Sequence, residues 1–142
     1  MKSISIISLL ITLLAYFVKA DVVKFNDLNF DNQIAEGQWM VYFYADWCGH
    51  CNIFAPVFED VEIEAKEKNL NVNFGKVNID ENPQLASRFY ITSLPTLFFI
   101  EDKQVRKFNI VRTQENLIKF IENKEWESIK PRGFFASPFS VV

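Results

Sequence analysis

The chain has little cysteine, histidine or glycine: two Cys, one His and four Gly in 142 residues. Two cysteines cannot build the multi-bridge frame of a small stapled domain. A zinc site would need two ligands beyond them, and the single histidine, His50, lies between the cysteines, so no metal or other cofactor is expected. Internal repeats and low-complexity tracts are absent, and 49% hydrophobic with 23% charged residues describes a folded unit. Basic excess is missing too. The formal net charge is −3, no basic stripe interrupts the acidic balance, and no nucleic-acid partner is expected. After the first twenty residues there is no apolar run of eighteen or more, so the remainder reads as a soluble domain. No Asn-x-Ser/Thr acceptor and no Lys-Asp-Glu-Leu type retrieval signal occur.

What is present starts with a leader. Lys2 is followed by an apolar run from Ile4 to Val18, then Val18-Lys19-Ala20, the pattern of a signal peptide over residues 1–20 cut after Ala20. Without Lys2 and Lys19 the chain keeps 13 basic and 18 acidic side chains, a balance of −5. An uncleaved signal anchor is the alternative. The rest has room for one domain, residues 21–123, and a C-terminal extension, 124–142.

Within the domain the expected order begins with a strand at Val22–Phe25 and a helix capped by Asn26 or Asp27 that runs to about Glu36 and ends at Gly37. The aromatic run Trp39–Tyr44 is a central strand covered on both faces. A long helix opens at Cys48, with Phe54, Phe58, Val61 and Ala65 on its apolar face and a kink at Pro56. Strand Val72–Asn78, a short helix from Asn82-Pro83 to about Phe89, strands Thr96–Ile100 and Gln104–Phe108, and a helix from Thr113 or Gln114 follow. This is an α/β chain with a mixed central β-sheet and helices on both faces. The tail from Trp126 reads as an extended lead-out. Fifteen Phe exceed what such a core needs, so several are expected to line a surface for apolar substrate.

Two cysteines spaced C-x-x-C close a loop too short to restrict an unfolded chain, which favours redox chemistry over stapling. Cys48 falls at the start of a helix, where unpaired amides and the helix dipole favour thiolate, the attacking species in disulfide exchange. Cys51, one turn inward, is the resolving thiol. Gly49 leaves the sulfur uncovered, and the His50 imidazole beside it favours thiolate over disulfide.

Trp47-Cys48-Gly49-His50-Cys51, preceded by Val41-Tyr42-Phe43-Tyr44-Ala45, resembles the thioredoxin fold in its protein disulfide isomerase form, over about residues 22–123. Ser87 to Thr96 (SRFYITSLPT) and Lys124 to Pro131 (KEWESIKP) are similar to the luminal domain of the thioredoxin-related transmembrane proteins of the endoplasmic reticulum. The resemblance implies that Pro95 is the cis-proline facing the dithiol and that it exposes the Leu94 backbone to an extended substrate. It also implies that Trp47 packs beside the site, Lys76 is the buried lysine near the resolving cysteine, and Arg112 swings in to lower that cysteine's pKa. By residue type alone, Pro95 marks only a strand start, and Lys76 and Arg112 are solvated charges. Two positions depart from the family. Tyr42 stands where an Asp or Glu would take the resolving thiol's proton, and Ile110 stands where a glycine precedes the arginine.

The resemblance implies a protein thiol–disulfide oxidoreductase or isomerase acting on folding secretory proteins, with unfolded or misfolded chains and glutathione or another redox carrier as partners. A weakly catalytic chaperone or escort is the alternative; a cytosolic reductant is disfavoured by the leader and His50. The expected location is the endoplasmic reticulum lumen, with secretion, or anchoring by an uncleaved leader, as alternatives. The family's membrane span after the luminal domain has no counterpart before Val142.

Overall fold

The computed structural model describes residues 19–133 and Phe139. The leader expected over 1–20, apart from Lys19 and Ala20, and the apolar pairs Phe134-Phe135 and Val141-Val142 lie outside the described residues. Five strands form one sheet: β1 Val23–Phe25, β2 Gln38–Tyr44, β3 Asn73–Asn78, β4 Thr96–Glu101 and β5 Gln104–Phe108. Their spatial order is β1-β3-β2-β4-β5. β1 and β2 both run parallel to β3, while β4 is antiparallel to β2 and β5. The helices are α1 Phe30–Gln33, α2 Gly49–Glu67, α3 Pro83–Arg88 and α4 Gln114–Glu122, followed by a 3-10 turn, Glu125–Ser128.

β2 is buried along its whole interior because alternate residues enter different cores. Met40 and Tyr42 pack with Leu97 and Phe99 under α2 and α4. Trp39, Val41 and Phe43 pack with Phe98, Ile100 and Val77 against α1 and α3. Aromatic rings dominate both layers. Phe58 contacts Tyr42, Phe54 and Phe74, and Phe89 contacts Phe30, Phe43 and Phe98 at centroid separations near 5 Å, mostly edge to face. Between β1 and β3 the packing is so close that a Cβ on Gly75 would fall on the Phe25 ring.

This density corrects one expectation. Phe25, Phe30, Phe43, Phe54, Phe58, Phe74, Phe89, Phe98, Phe99, Phe108 and Phe120 are all core residues, so the surplus of phenylalanine fills two layers instead of lining a substrate surface. The first helix is also shorter than expected. Asn26 and Asn29 exchange side-chain to backbone hydrogen bonds in the manner of a capping box, so the turn 27–29 precedes a single helical turn. The Trp39 indole then donates to the Glu36 carbonyl, and Gly37 sits at φ +83°, which draws 34–37 out of helical geometry. α2 runs without interruption through Pro56. It ends in a Schellman arrangement, with Asn69 left-handed and Leu70 N–H donating to the Ala65 carbonyl.

The tail is not a free lead-out. The 3-10 turn places Trp126, 2% exposed, flat on Phe99 with ring centroids 4.1 Å apart. Two aromatic rings that large leave water together, and this outweighs the chain entropy lost by ordering a few residues. Among the described residues, no helix is long and apolar enough to cross a membrane.

Trp126→Ala is expected to lower the unfolding free energy by about 3–5 kcal/mol, read as a lower urea midpoint. Trp126→Phe should cost much less, because the buried Trp126 Nε1 donor has no hydrogen-bond partner to lose. An Ala variant as stable as the parent would return the tail to the status of a loose end.

Candidate active site

Where β2 stops, the chain turns sharply into α2. Ala45 is fully buried, and its carbonyl accepts the Cys48 N–H at 3.1 Å, which closes the turn through Asp46 and Trp47. Cys48 is the N-cap of α2, with extended backbone (φ −82°, ψ 107°), and its Sγ accepts the Cys51 N–H at 3.2 Å. The sulfur therefore takes the place of the oxygen that Ser or Asp supplies at an ordinary cap. A thiolate there would receive the same amide and the positive end of a 19-residue helix. Cys48 and Cys51 are joined as a disulfide, with Cα atoms 5.2 Å apart. Both are buried, in a small cluster with Ala45 against Tyr44, Ile79 and Leu94. Gly49 opens the helix above them, and a Cβ there would meet nothing within 4 Å, so its bare backbone faces open space.

A groove of about 400 Å³ runs beside the disulfide. Trp47, Cys48, Gly49 and His50 line it from the start of α2 and Ile91 to Leu94 from the loop before β4, together with Ile79. Trp47 is 71% exposed yet fixed, since its Nε1 donates to Asp80 Oδ2 at 2.9 Å. His50 is exposed along the rim. The Leu94–Pro95 peptide bond is cis, and Thr96 Oγ1 donates to the Ser93 carbonyl at 2.6 Å to tighten that loop.

Trp47, Cys48, Gly49 and His50 thus meet the loop that leads into Pro95, residues Ile91 to Leu94, across one groove, with Cys51 buried behind Cys48. Lys76 and Arg112 sit further out. Lys76 is half-buried on β3, in register with Tyr42, and its ammonium rests 5.8 Å from the centre of the Tyr44 ring. With a phenol at position 42, no carboxylate draws the ammonium inward, and an aromatic face takes that role. Arg112 is exposed and donates through Nη2 to the Pro95 carbonyl at 3.4 Å, so it holds the outside of the cis-proline loop. Tyr42 is 2% exposed, wedged among Tyr44, Phe54 and Phe58. Burial, then the nearby Tyr44 and Glu59 charges, push its hydroxyl well above the ordinary phenol range. At neutral pH it is protonated and so is no acceptor for a thiol proton.

Asp80, Tyr44 and Ile79 escaped the reading of the sequence. They reach the site only because parallel pairing sets the end of β3 beside the end of β2, with Ile79 N–H donating to the Tyr44 carbonyl at 2.9 Å. No local motif announces that juxtaposition. Tyr44 carries Lys76 on its ring, and burial raises its hydroxyl while the Lys24 charge opposes. Among the described residues, no group of three or more His, Cys, Asp or Glu is placed to hold a metal ion.

The thioredoxin family profile matches residues 21–123. The chain belongs to the thioredoxin family. It is 37% identical to thioredoxin-related transmembrane protein 1 of Bos taurus over 128 residues, 90% of this chain and 45% of that protein. The human protein of that name is 39% identical over 78% of the chain and 39% of its own length. The chain therefore spans less than half the length of these relatives. A thioredoxin of Staphylococcus saprophyticus is 39% identical over 71% of the chain and 95% of its own length. Among solved structures, the zinc-bound form of human ERp44 superposes with a TM-score of 0.70 at 26% identity, over 74% of this chain and 31% of that one. The first thioredoxin domain of mouse protein disulfide-isomerase A4 gives 0.64 at 32% identity, over 70% of this chain and 72% of that one. The fold is the thioredoxin fold, and Cys48 and Cys51 have the spacing of its C-x-x-C dithiol.

Because Tyr42 is held neutral in the fold, its contribution to stability is complete below the ordinary phenol pKa of about 10 and is lost as pH rises above it. The unfolded chain there releases a proton that the folded chain keeps. Alkaline denaturation followed by circular dichroism should begin near pH ~10 and be less steep in Tyr42→Phe. A profile identical in the two proteins would place the alkaline sensitivity elsewhere.

Proposed function

We propose that this chain is a protein thiol–disulfide oxidoreductase and isomerase that acts on folding secretory proteins. What supports it most is the position of Cys48 Sγ, a cap acceptor at the start of α2 that borders a groove also lined by Leu94, the residue before the cis Pro95. An extended peptide can lie in that groove and bring a thiol or disulfide to the sulfur. The apolar lining from Trp47, Ile79, Ile91 and Leu94 favours chain segments that a finished protein would hide.

In the oxidising direction, a substrate thiolate attacks Cys48 Sγ and the bond to Cys51 breaks. Cys51 leaves as thiolate and takes up a proton. A second substrate thiolate then attacks the substrate sulfur of the mixed disulfide, so that a substrate disulfide forms and Cys48 leaves as thiolate. Two electrons have passed to the dithiol, and glutathione disulfide or another disulfide carrier must withdraw them. Reduction is the reverse. In isomerisation the Cys48 thiolate opens one substrate disulfide and a different substrate thiolate displaces it, with no net electron transfer. The α2 N-terminus stabilises Cys48 thiolate in every direction. His50, on the rim beside it, adds a donor or a positive charge.

The location we propose is the endoplasmic reticulum lumen. The leader pattern over 1–20 and the similarity to thioredoxin-related transmembrane proteins and ERp44 support it. A second reading, an escort that binds unfolded chains with little turnover, is favoured by Tyr42. Without a base beneath it, Cys51 releases substrate slowly and the mixed disulfide persists.

Reduction of insulin and refolding of a scrambled disulfide protein separate the two readings. Turnover that vanishes in Cys48→Ser supports the enzyme; suppressed aggregation that survives in Cys48→Ser, without turnover in the parent, supports the escort. Tyr42→Glu should shorten the life of the trapped mixed disulfide by about a hundredfold or more, the range of a positioned general base, while Tyr42→Phe leaves it unchanged. Equal lifetimes in all three proteins would remove position 42 from the release step.

A further inference from the structure

The chain beyond α4 does more than cover a core. Lys124, with φ +51°, turns the backbone out of α4, and the 3-10 turn then lays Trp126 on Phe99. Arg106 Nε donates to the Ile129 carbonyl at 3.1 Å. Three residues later, Arg132 N–H donates to the Val105 carbonyl at 2.9 Å, on the outer edge of β5, where no further strand pairs. The Arg132 side chain finishes on the opposite layer. Its guanidinium lies 4.8 Å from the centre of the Phe98 ring, and Nη1 donates to the Phe89 carbonyl at 2.9 Å. Phe98 and Phe99 are adjacent on β4 and face opposite cores, so the strap passes from one layer to the other around the sheet edge.

Phe89 is the C-cap of α3, and its carbonyl is one of those a helix end leaves without an internal donor. Tyr90 follows in the left-handed region at φ +52°, where glycine is the usual occupant. Tyr90 N–H donates to Ser87 and Ile91 N–H to Ala86, completing a Schellman end on a residue with a side chain. Ile91 is the next residue and the first of the groove wall that runs to Leu94. A cation that donates to the stray carbonyl at this helix end complements the dipole and holds the turn in its uncommon geometry.

We propose that Arg132 is a positioning residue: by capping α3 at Phe89, the strap 124–133 sets the Ile91–Leu94 wall of the groove through the turn at Tyr90, and so the fit of a peptide beside Cys48. The peptide half of this statement rests on the reading of the groove given above; the positioning half does not.

The full chain, Arg132→Gln and the exposed neighbour Lys130→Gln as control are compared by amide hydrogen exchange and by turnover. In Arg132→Gln the Tyr90 and Ile91 amides should exchange about tenfold faster, the equivalent of one charge-assisted hydrogen bond, while Val77 in β3 changes far less. Apparent KM for a disulfide-containing peptide should rise several-fold with kcat within about twofold. Reaction with glutathione disulfide, which needs no groove, should stay within about twofold. Lys130→Gln should match the parent throughout. Exchange at Tyr90 and Ile91 that is unchanged, or that rises only as much as at Val77, overturns the positioning role. Equal losses on peptide and glutathione disulfide, or an unchanged KM, overturn its consequence for the groove. A parent that turns over neither substrate removes the functional reading, and the exchange measurement still decides the role of Arg132.

Discussion

Every element that reaches the dithiol is held, directly or through one neighbour, by strand β2, which pairs on both edges and is covered on both faces. Its five interior residues, Trp39 to Phe43, are all buried and have no solvent side to slip toward, so a shift of register by one would exchange the contents of two packed cores. That constraint fixes Ala45, and Ala45 fixes the turn into α2. The cap at Cys48 follows from there. An amide with no helical carbonyl in reach donates to sulfur, and a strand end becomes a thiolate site.

The same packing explains the two halves of the dithiol. Cys48 is served by the helix terminus, the Gly49 opening and the His50 rim. Cys51 is buried, and Tyr42 is a phenol locked between Phe54 and Phe58. A phenol at position 42 carries no desolvated carboxylate and lets the aromatic layer close. Lys76 then settles on the Tyr44 face.

Beyond the sheet, the outer edge of β5 presents backbone groups that would otherwise be open to another strand. The strap occupies the Val105 carbonyl and links Trp126 in one core to Arg132 over the other. Edge protection and the shape of the groove wall therefore share a single segment. The Phe139 ring stacked on Phe30, 6.3 Å between centroids, adds a contact on the α1 and α3 side.

Much of this was legible in the sequence because it is local. The unbroken apolar and aromatic run of β2, the step of three and four along α2, and the C-x-x-C pair at a helix start depend on residues within one element. The turn at Asn26–Asn29 was misjudged because side chains competing for backbone amides do not show in a hydrophobic pattern. Trp126 was read as loose because its partner Phe99 lies across the fold. Asp80 at Trp47, Ile79 in the groove, Lys76 over Tyr44 and Arg132 at Phe89 were all decided by the tertiary structure. Each joins residues distant in sequence whose contact exists only after strands pair and layers close, and no spacing along the chain encodes that distance.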